Sequence, residues 1–134
     1  MSARHKARKR ALDYLYEADI KKVDALYLLS SRPIDDISES AYVEELLKGV
    51  SEKKRKLDEF IITYAQGWDL DRMPVIDRNI LRIALFESLY TNLDSGIALN
   101  EALELAKELS TDESSGYIHG VLSRVIALKD ALVL

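Results

Sequence analysis

The chain contains no cysteine, which excludes disulfide scaffolds, thiol catalysis and cysteine-ligated zinc. It has two prolines and five glycines, and neither an Asn-Gly nor an Asp-Gly pair, so hairpin turn signals are missing. Only two histidines occur, His5 and His119, far apart and outside any H-E-x-x-H spacing. There is no glycine-rich phosphate loop, and no serine stands in a recognisable Ser-His-Asp context. The carboxylate pairs Asp35–Asp36 and Glu44–Glu45 read as solvated faces rather than acid–base dyads. No apolar run approaches the roughly 18 residues needed to cross a bilayer. The N-terminus opens on charge without a signal-peptide core, and Asp13, Glu17 and Asp19 follow too soon for a transit peptide. These absences predict a soluble cytoplasmic protein that is not an enzyme and uses no metal or cofactor.

What is present is helical. The 134 residues are 48% hydrophobic and 31% charged, an ordinary globular balance at a length suited to one domain. Apolar positions recur at helical spacing, which predicts an all-α bundle of about six to seven helices. A first helix is expected over about Ala3–Asp19, with Ala7, Ala11, Tyr14, Leu15 and Ala18 facing the core. A second covers about Val23–Ser31. Pro33, Asp35, Asp36 and Ser38 mark a loop over Arg32–Ser38. A third helix spans Glu39–Val50, and Ser51 caps a fourth that ends near Gly67. A connector over Trp68–Met73 leads to Pro74 and a helix reaching Tyr90. Asn92–Gly96 forms a turn before a helix over Ile97–Leu109. The polar Ser110–Ser115 stretch then turns into a last helix, capped by Ser110 or Asp112, that reaches about Asp130. The connector divides packed halves of about 1–67 and 68–134, too closely joined to be separate domains.

The formal charge of −4 hides a split. The first ten residues hold Arg4, Lys6, Arg8, Lys9 and Arg10 with no acid, while the other 124 carry 14 Lys and Arg against 23 Asp and Glu. Cations are disfavoured at a helix N-terminus, whose dipole is positive, so this helix tolerates a penalty that a bound polyanion relieves. The alternative is a frayed, solubilising terminus. Arg4 and Arg8 fall beside the apolar edge of the wheel; Lys6, Lys9 and Arg10 spread around the polar side. Glu87 stands among Ile76, Ile80, Ile83 and Ala84 and needs a hydrogen-bonding partner such as an arginine or a helix terminus. Arg82 does not share that face and is expected to point outward. Tyr117 follows the polar turn and either packs or stacks on an unpaired base. Gly120, inside a helix, predicts close helix packing.

Four segments together resemble the NusB family of bacterial transcription antitermination factors. R-H-K-A-R-K-R-A-L-D-Y-L-Y at the start is similar to the family's arginine-rich first helix. I-D-R-N-I-L-R-I-A-L-F-E at 76–87 resembles its central helix, including Glu87. A-L-N-E-A-L-E-L-A-K at 98–107 resembles its N-E-A motif, and Y-I-H-G-V-L at 117–122 its terminal F-V-N-G-V-L motif.

The resemblance covers Arg4 to about Leu128 and implies two packed helical halves and a non-enzymatic role. Family members pair with the ribosomal protein NusE, bind the single-stranded boxA element of ribosomal RNA leaders, and join RNA polymerase with other Nus factors so that transcription resists termination. By position, the resemblance assigns RNA contact to Arg4, His5, Lys6, Arg8 and Lys9, to Ser114 and Tyr117, and more weakly to Arg78 beside the NusE surface. It assigns NusE contact to Tyr16 and Asp77, and structural roles to Glu87, Asn100, Glu101 and Gly120. Gly116 stands where the family is often basic, and His119 where asparagine is usual. A NusB-like domain also occurs fused to an RNA cytosine methyltransferase; the absence of a following α/β domain suggests the free factor. A surface adapted to a partner can pair with itself when that partner is absent, so a homodimer without NusE is a further expectation.

Overall fold

Capping side chains set four of the helix starts, at Ser2, Asp24, Asp94 and Thr111. In the computed structural model, which describes residues 2–34, 37–67 and 69–134, with only the backbone at 37–39, the Ser2 hydroxyl accepts from the His5 amide and opens α1 (Ala3–Lys21). Lys22 closes that helix in the left-handed conformation, at φ 56°. Asp24 accepts from the Leu26 amide to start α2 (Ala25–Ser31). Then follow α3 (Ile37–Tyr64), a 3-10 turn at Leu70–Arg72, α4 (Val75–Tyr90), α5 (Ser95–Leu109), α6 (Asp112–Ala127) and a 3-10 turn at Lys129–Ala131. No strand occurs among the described residues, so the fold is all-α as expected. No helix among them is long and apolar enough to cross a membrane.

Three expected boundaries move. The third and fourth helices are one, because no break occurs at Ser51: its hydroxyl reaches toward Asp24 at 3.4 Å instead of capping. The stripe of Val43, Leu46, Val50, Leu57 and Ile61 runs unbroken through the junction, and no proline interrupts it. α3 also begins at Ile37, inside the expected loop; Asp35 and Asp36 of that loop, and Trp68 of the connector, lie outside the described residues, as does Met1. The polar stretch after α5 is shorter than expected, since Thr111, not Ser110 or Asp112, caps α6 by accepting from the Ser114 amide.

α4 is the centre of the bundle. It packs against α1, α3, α5 and α6, and every residue from Asn79 to Leu89 is buried. A helix surrounded on all sides has no solvent face, which overturns the outward placement of Arg82. That side chain is 4% exposed. Its Nε and Nη2 donate to the two carboxylate oxygens of Asp58 at 2.7 and 3.0 Å, and its Nη1 donates to Asp19 at 2.8 Å. One core spans both sides of the connector: Leu12, Leu46 and Leu57 meet Ile80, Leu105 and Leu122 in a single cluster. Gly120 does not serve a close helix approach, because a Cβ there would first meet the Arg124 guanidinium, at 3.4 Å. Arg124 in turn donates to the Tyr64 carbonyl at 2.8 and 3.1 Å, satisfying the end of α3.

Candidate nucleic-acid interface

α1 runs antiparallel to α4. Its first turns meet Glu87 near one end of α4, and Asp19 in its last turns meets Arg78 and Arg82. The basic segment is therefore a formed helix from Ala3 onward, with no acid in its first turn. Its cations divide by helical position. Arg4, Lys6 and Arg10 are exposed, and Lys9 is half-buried. Arg4 lies over the Tyr42 ring, 4.5 Å from its centroid, which draws the guanidinium toward α3.

Arg8 and His5, expected to contact RNA, turn inward in the free chain. Arg8 is 2% exposed and Glu87 1%. Arg8 Nε donates to both Glu87 oxygens at 3.0 Å, Nη2 lies 2.9 Å from Glu87 Oε2, and Nη1 lies 3.5 Å from Glu101. Tyr42 donates its phenol to the same Glu87 carboxylate. Burial first, then this hydrogen bond and the Glu87 charge, push the Tyr42 phenol up, so it stays a donor. The partner expected for Glu87 is thus an arginine, supplemented by a tyrosine. His5 is buried, with Nδ1 2.6 Å from Glu101 and Nε2 2.9 Å from Glu108. Lys9 Nζ reaches Glu108 at 3.0 Å. The C-terminal end of α5 carries negative dipole character, which suits the cations beside it.

These bridges tie the first turns of α1 to α5, whose C-terminal end leads through Ser110 and Thr111 into the start of α6, where Ser114 and Tyr117 lie. Ser114 is buried, and its hydroxyl donates to Asp77 Oδ2 at 2.6 Å, while the Ser110 hydroxyl donates to Asp77 Oδ1 at 2.6 Å. Asp77, expected to contact NusE, is 2% exposed with both oxygens occupied, and it anchors the start of α6. Tyr117 is half-buried in the second turn of α6, and burial pushes its phenol up to about 12. Together with Pro74 and Leu109 these groups line one shallow hollow. Arg78 is half-buried, its Nε donating to Asp19 at 3.1 Å and its Nη1 to the Leu70 carbonyl at 3.3 Å. Tyr16 is 45% exposed, with Ile20 exposed one turn on. Asn100 and Gly116 are exposed; His119 is exposed beside Ser123.

Tyr42 and Glu108 were not legible as site residues. Their partners stand 45 and 103 residues away, and neither has an anomalous local neighbourhood. Among the described residues no group of three or more His, Asp and Glu is placed to hold a metal ion.

A profile of the NusB family matches residues 5–127. The transcription antitermination protein NusB of Arthrobacter sp. strain FB24 is 48% identical over 136 residues, covering 99% of each chain. That of Saccharopolyspora erythraea is 44% identical over 138 residues, covering 98% of this chain and 92% of its own. Among solved structures, T. maritima NusB superposes with a TM-score of 0.85 at 26% identity, covering 92% of this chain and 90% of that one. A chain from a crystal structure of the antitermination factors NusB and NusE in complex with dsRNA shares the fold, with a TM-score of 0.82 at 21% identity over 95% of this chain and 98% of that one. The chain belongs to the NusB family.

Proposed function

We propose that this chain is a transcription antitermination factor. In this reading residues 1–134 act as one cytoplasmic RNA-binding domain that takes boxA-type single-stranded RNA together with the ribosomal protein NusE. The pair then joins RNA polymerase and other Nus factors and promotes ribosomal RNA transcription. Its role is scaffolding, without catalysis. The observation that carries the reading is the exposed group of Arg4, Lys6 and Arg10 around a helix N-terminus that lacks any acid in its first turn. Positive charge there raises the energy of the free protein, and phosphate lowers it. Lys9 stands at the edge of the group, and His5 and Arg8 support it from inside. Arg78, Ser114 and Tyr117 are taken as further RNA contacts, and Tyr16 and Asp77 as NusE contacts. The names of the relatives and the NusE–RNA complex of a chain with the same fold agree with this assignment.

The test is a salt titration. For single strands, log affinity falls with log salt at about −0.7 per neutralised phosphate. Replacing Arg4 and Lys6 with alanine is expected to flatten the slope by about 1.4, two phosphates' worth, with the fold unchanged by circular dichroism. A slope that does not move removes the basic helix as the RNA site.

A second reading rests on the exposed apolar row of Tyr16, Ile20, Val23 and Tyr27. It is a helical protein–protein adaptor that does not touch RNA. Capture of NusE with no RNA-dependent shift, with or without NusE, favours it. The same row offers a homodimer contact in the absence of NusE, which sedimentation with and without the partner distinguishes.

A further inference from the structure

His5 lies between two carboxylates, one at each ring nitrogen: Glu101 at 2.6 Å from Nδ1 and Glu108 at 2.9 Å from Nε2. A neutral imidazole has one N–H and one lone pair, and an ionised carboxylate only accepts. Both contacts attract only when both nitrogens carry protons. A neutral ring sets a lone pair against a carboxylate oxygen at one end. From this geometry we infer that His5 is a positioning residue for nucleic-acid binding: its imidazolium clasps the first turn of α1 to α5, and RNA affinity falls when the clasp loses its proton. The inference rests on the basic-helix reading above.

The charged groups around the ring bear this role out in sign. On α1, Arg8 lies 3.5 Å from Glu101 and Lys9 3.0 Å from Glu108. On α5, the exposed Glu104 lies between those two acids. From α4, Glu87 holds Arg8, and from α3, Tyr42 donates to Glu87. With His5 charged, the cations His5, Arg8 and Lys9 face Glu87, Glu101 and Glu108, with the exposed Glu104 alongside. Deprotonation adds one unit of negative charge next to Arg4 and Lys6, where phosphate is expected. Burial works to lower the His5 pKa, but the hydrogen bonds to Glu101 and Glu108 and their charges outweigh it and raise the pKa above its ordinary 6.5. The clasp's contribution to stability is therefore fully present below about pH 6.5 and is lost as pH rises through the folded-state pKa. By reciprocity, bound RNA raises that pKa further.

The experiment pairs an imidazole NMR titration of the full chain with binding of a boxA-type single-stranded RNA oligonucleotide across pH. His5 is expected to titrate above about 6.5, and wild-type affinity to fall roughly threefold to tenfold between about pH 6 and about pH 9. His5→Gln is expected to bind weakly at both ends of the range and His5→Arg tightly at both, each checked for fold by circular dichroism. A His5 midpoint at or below its ordinary value, or a His5→Gln curve that follows the wild type, overturns the clasp; the NMR arm and the wild-type curve need no variant to fold. RNA binding that is indifferent to pH removes the clasp's role alone. No RNA binding at about pH 6 by a protein whose His5 titrates high removes the basic-helix reading itself.

Discussion

Glu87→Ala is expected to destabilise the fold by about 3–5 kcal/mol, read as a lower urea midpoint at unchanged slope. The cost comes from what is left behind. Arg8 and Glu87 are both nearly sealed from solvent. Without the carboxylate, a guanidinium stays in the interior with only Glu101, 3.5 Å away, as counter-charge. The Tyr42 phenol loses its acceptor in the same step. A guanidinium stays protonated even where it is buried, so Arg8 does not escape by losing a proton. Arg8→Ala is expected to fail by the mirror route, leaving the Glu87 carboxyl buried without its guanidinium partner. The double change Arg8→Met with Glu87→Leu removes both charges together and is expected to recover much of the loss. A double variant no better than either single one would reject the ion pair as the cause. This separates two kinds of arginine on α1. An Arg8 variant that no longer binds RNA reports a damaged bundle, whereas an Arg4 variant reports the surface.

Glu87 shows which parts of the molecule were legible in the sequence. A carboxylate among isoleucines on one helix is a local conflict, and local conflicts are visible without a structure. The start of α1, both ends of α4 and the end of α5 were legible for the same reason, since periodicity and caps are properties of neighbouring residues. Arg82 was misread because its wheel position says nothing about Asp58 and Asp19, which come from α3 and α1. The internal bonds of Asp77 were not legible, because an acid in a first helical turn is unremarkable next to the helix dipole. Only the fold brings Ser110 and Ser114 onto its two oxygens. The basic cluster was legible as charge but not as geometry: five cations in ten residues say nothing of which are held inside. Ser51 drew a false helix end, because a serine caps only where the chain turns, and here the apolar stripe carries the helix past it.

Gly49 carries the second large effect, and the other helix glycines supply its control. Glycine inside a helix costs about 1 kcal/mol relative to alanine, so alanine stabilises wherever its methyl has room. At Gly49 there is none. A Cβ would lie 2.0 Å from Phe86 Cζ and 2.1 Å from Cε1, inside the ring that α4 presses onto α3. Phe86 is buried and stacked on Tyr90 at 6.4 Å, so it cannot swing aside without disturbing a second ring. Overpacking costs about 1–3 kcal/mol, and an approach this short belongs at or above the top of that range. After the gain in helix propensity, Gly49→Ala is expected to lose about 2–3 kcal/mol net. At Gly116, a Cβ meets nothing within 4 Å, so the same substitution is expected to gain about 0.5–1 kcal/mol. Opposite shifts in urea midpoint are the signature; a gain at both positions would mean that α3 and α4 do not approach as closely as Gly49 requires. Phe86→Leu supplies the remaining arm. Combined with Gly49→Ala it is expected to cost less than the sum of the two single changes, because the ring and the methyl compete for one space. Phe86 also precedes Glu87 on α4, so moving the ring displaces the carboxylate that holds Arg8, and Gly49→Ala is expected to loosen the first turns of α1 from the far side of the bundle.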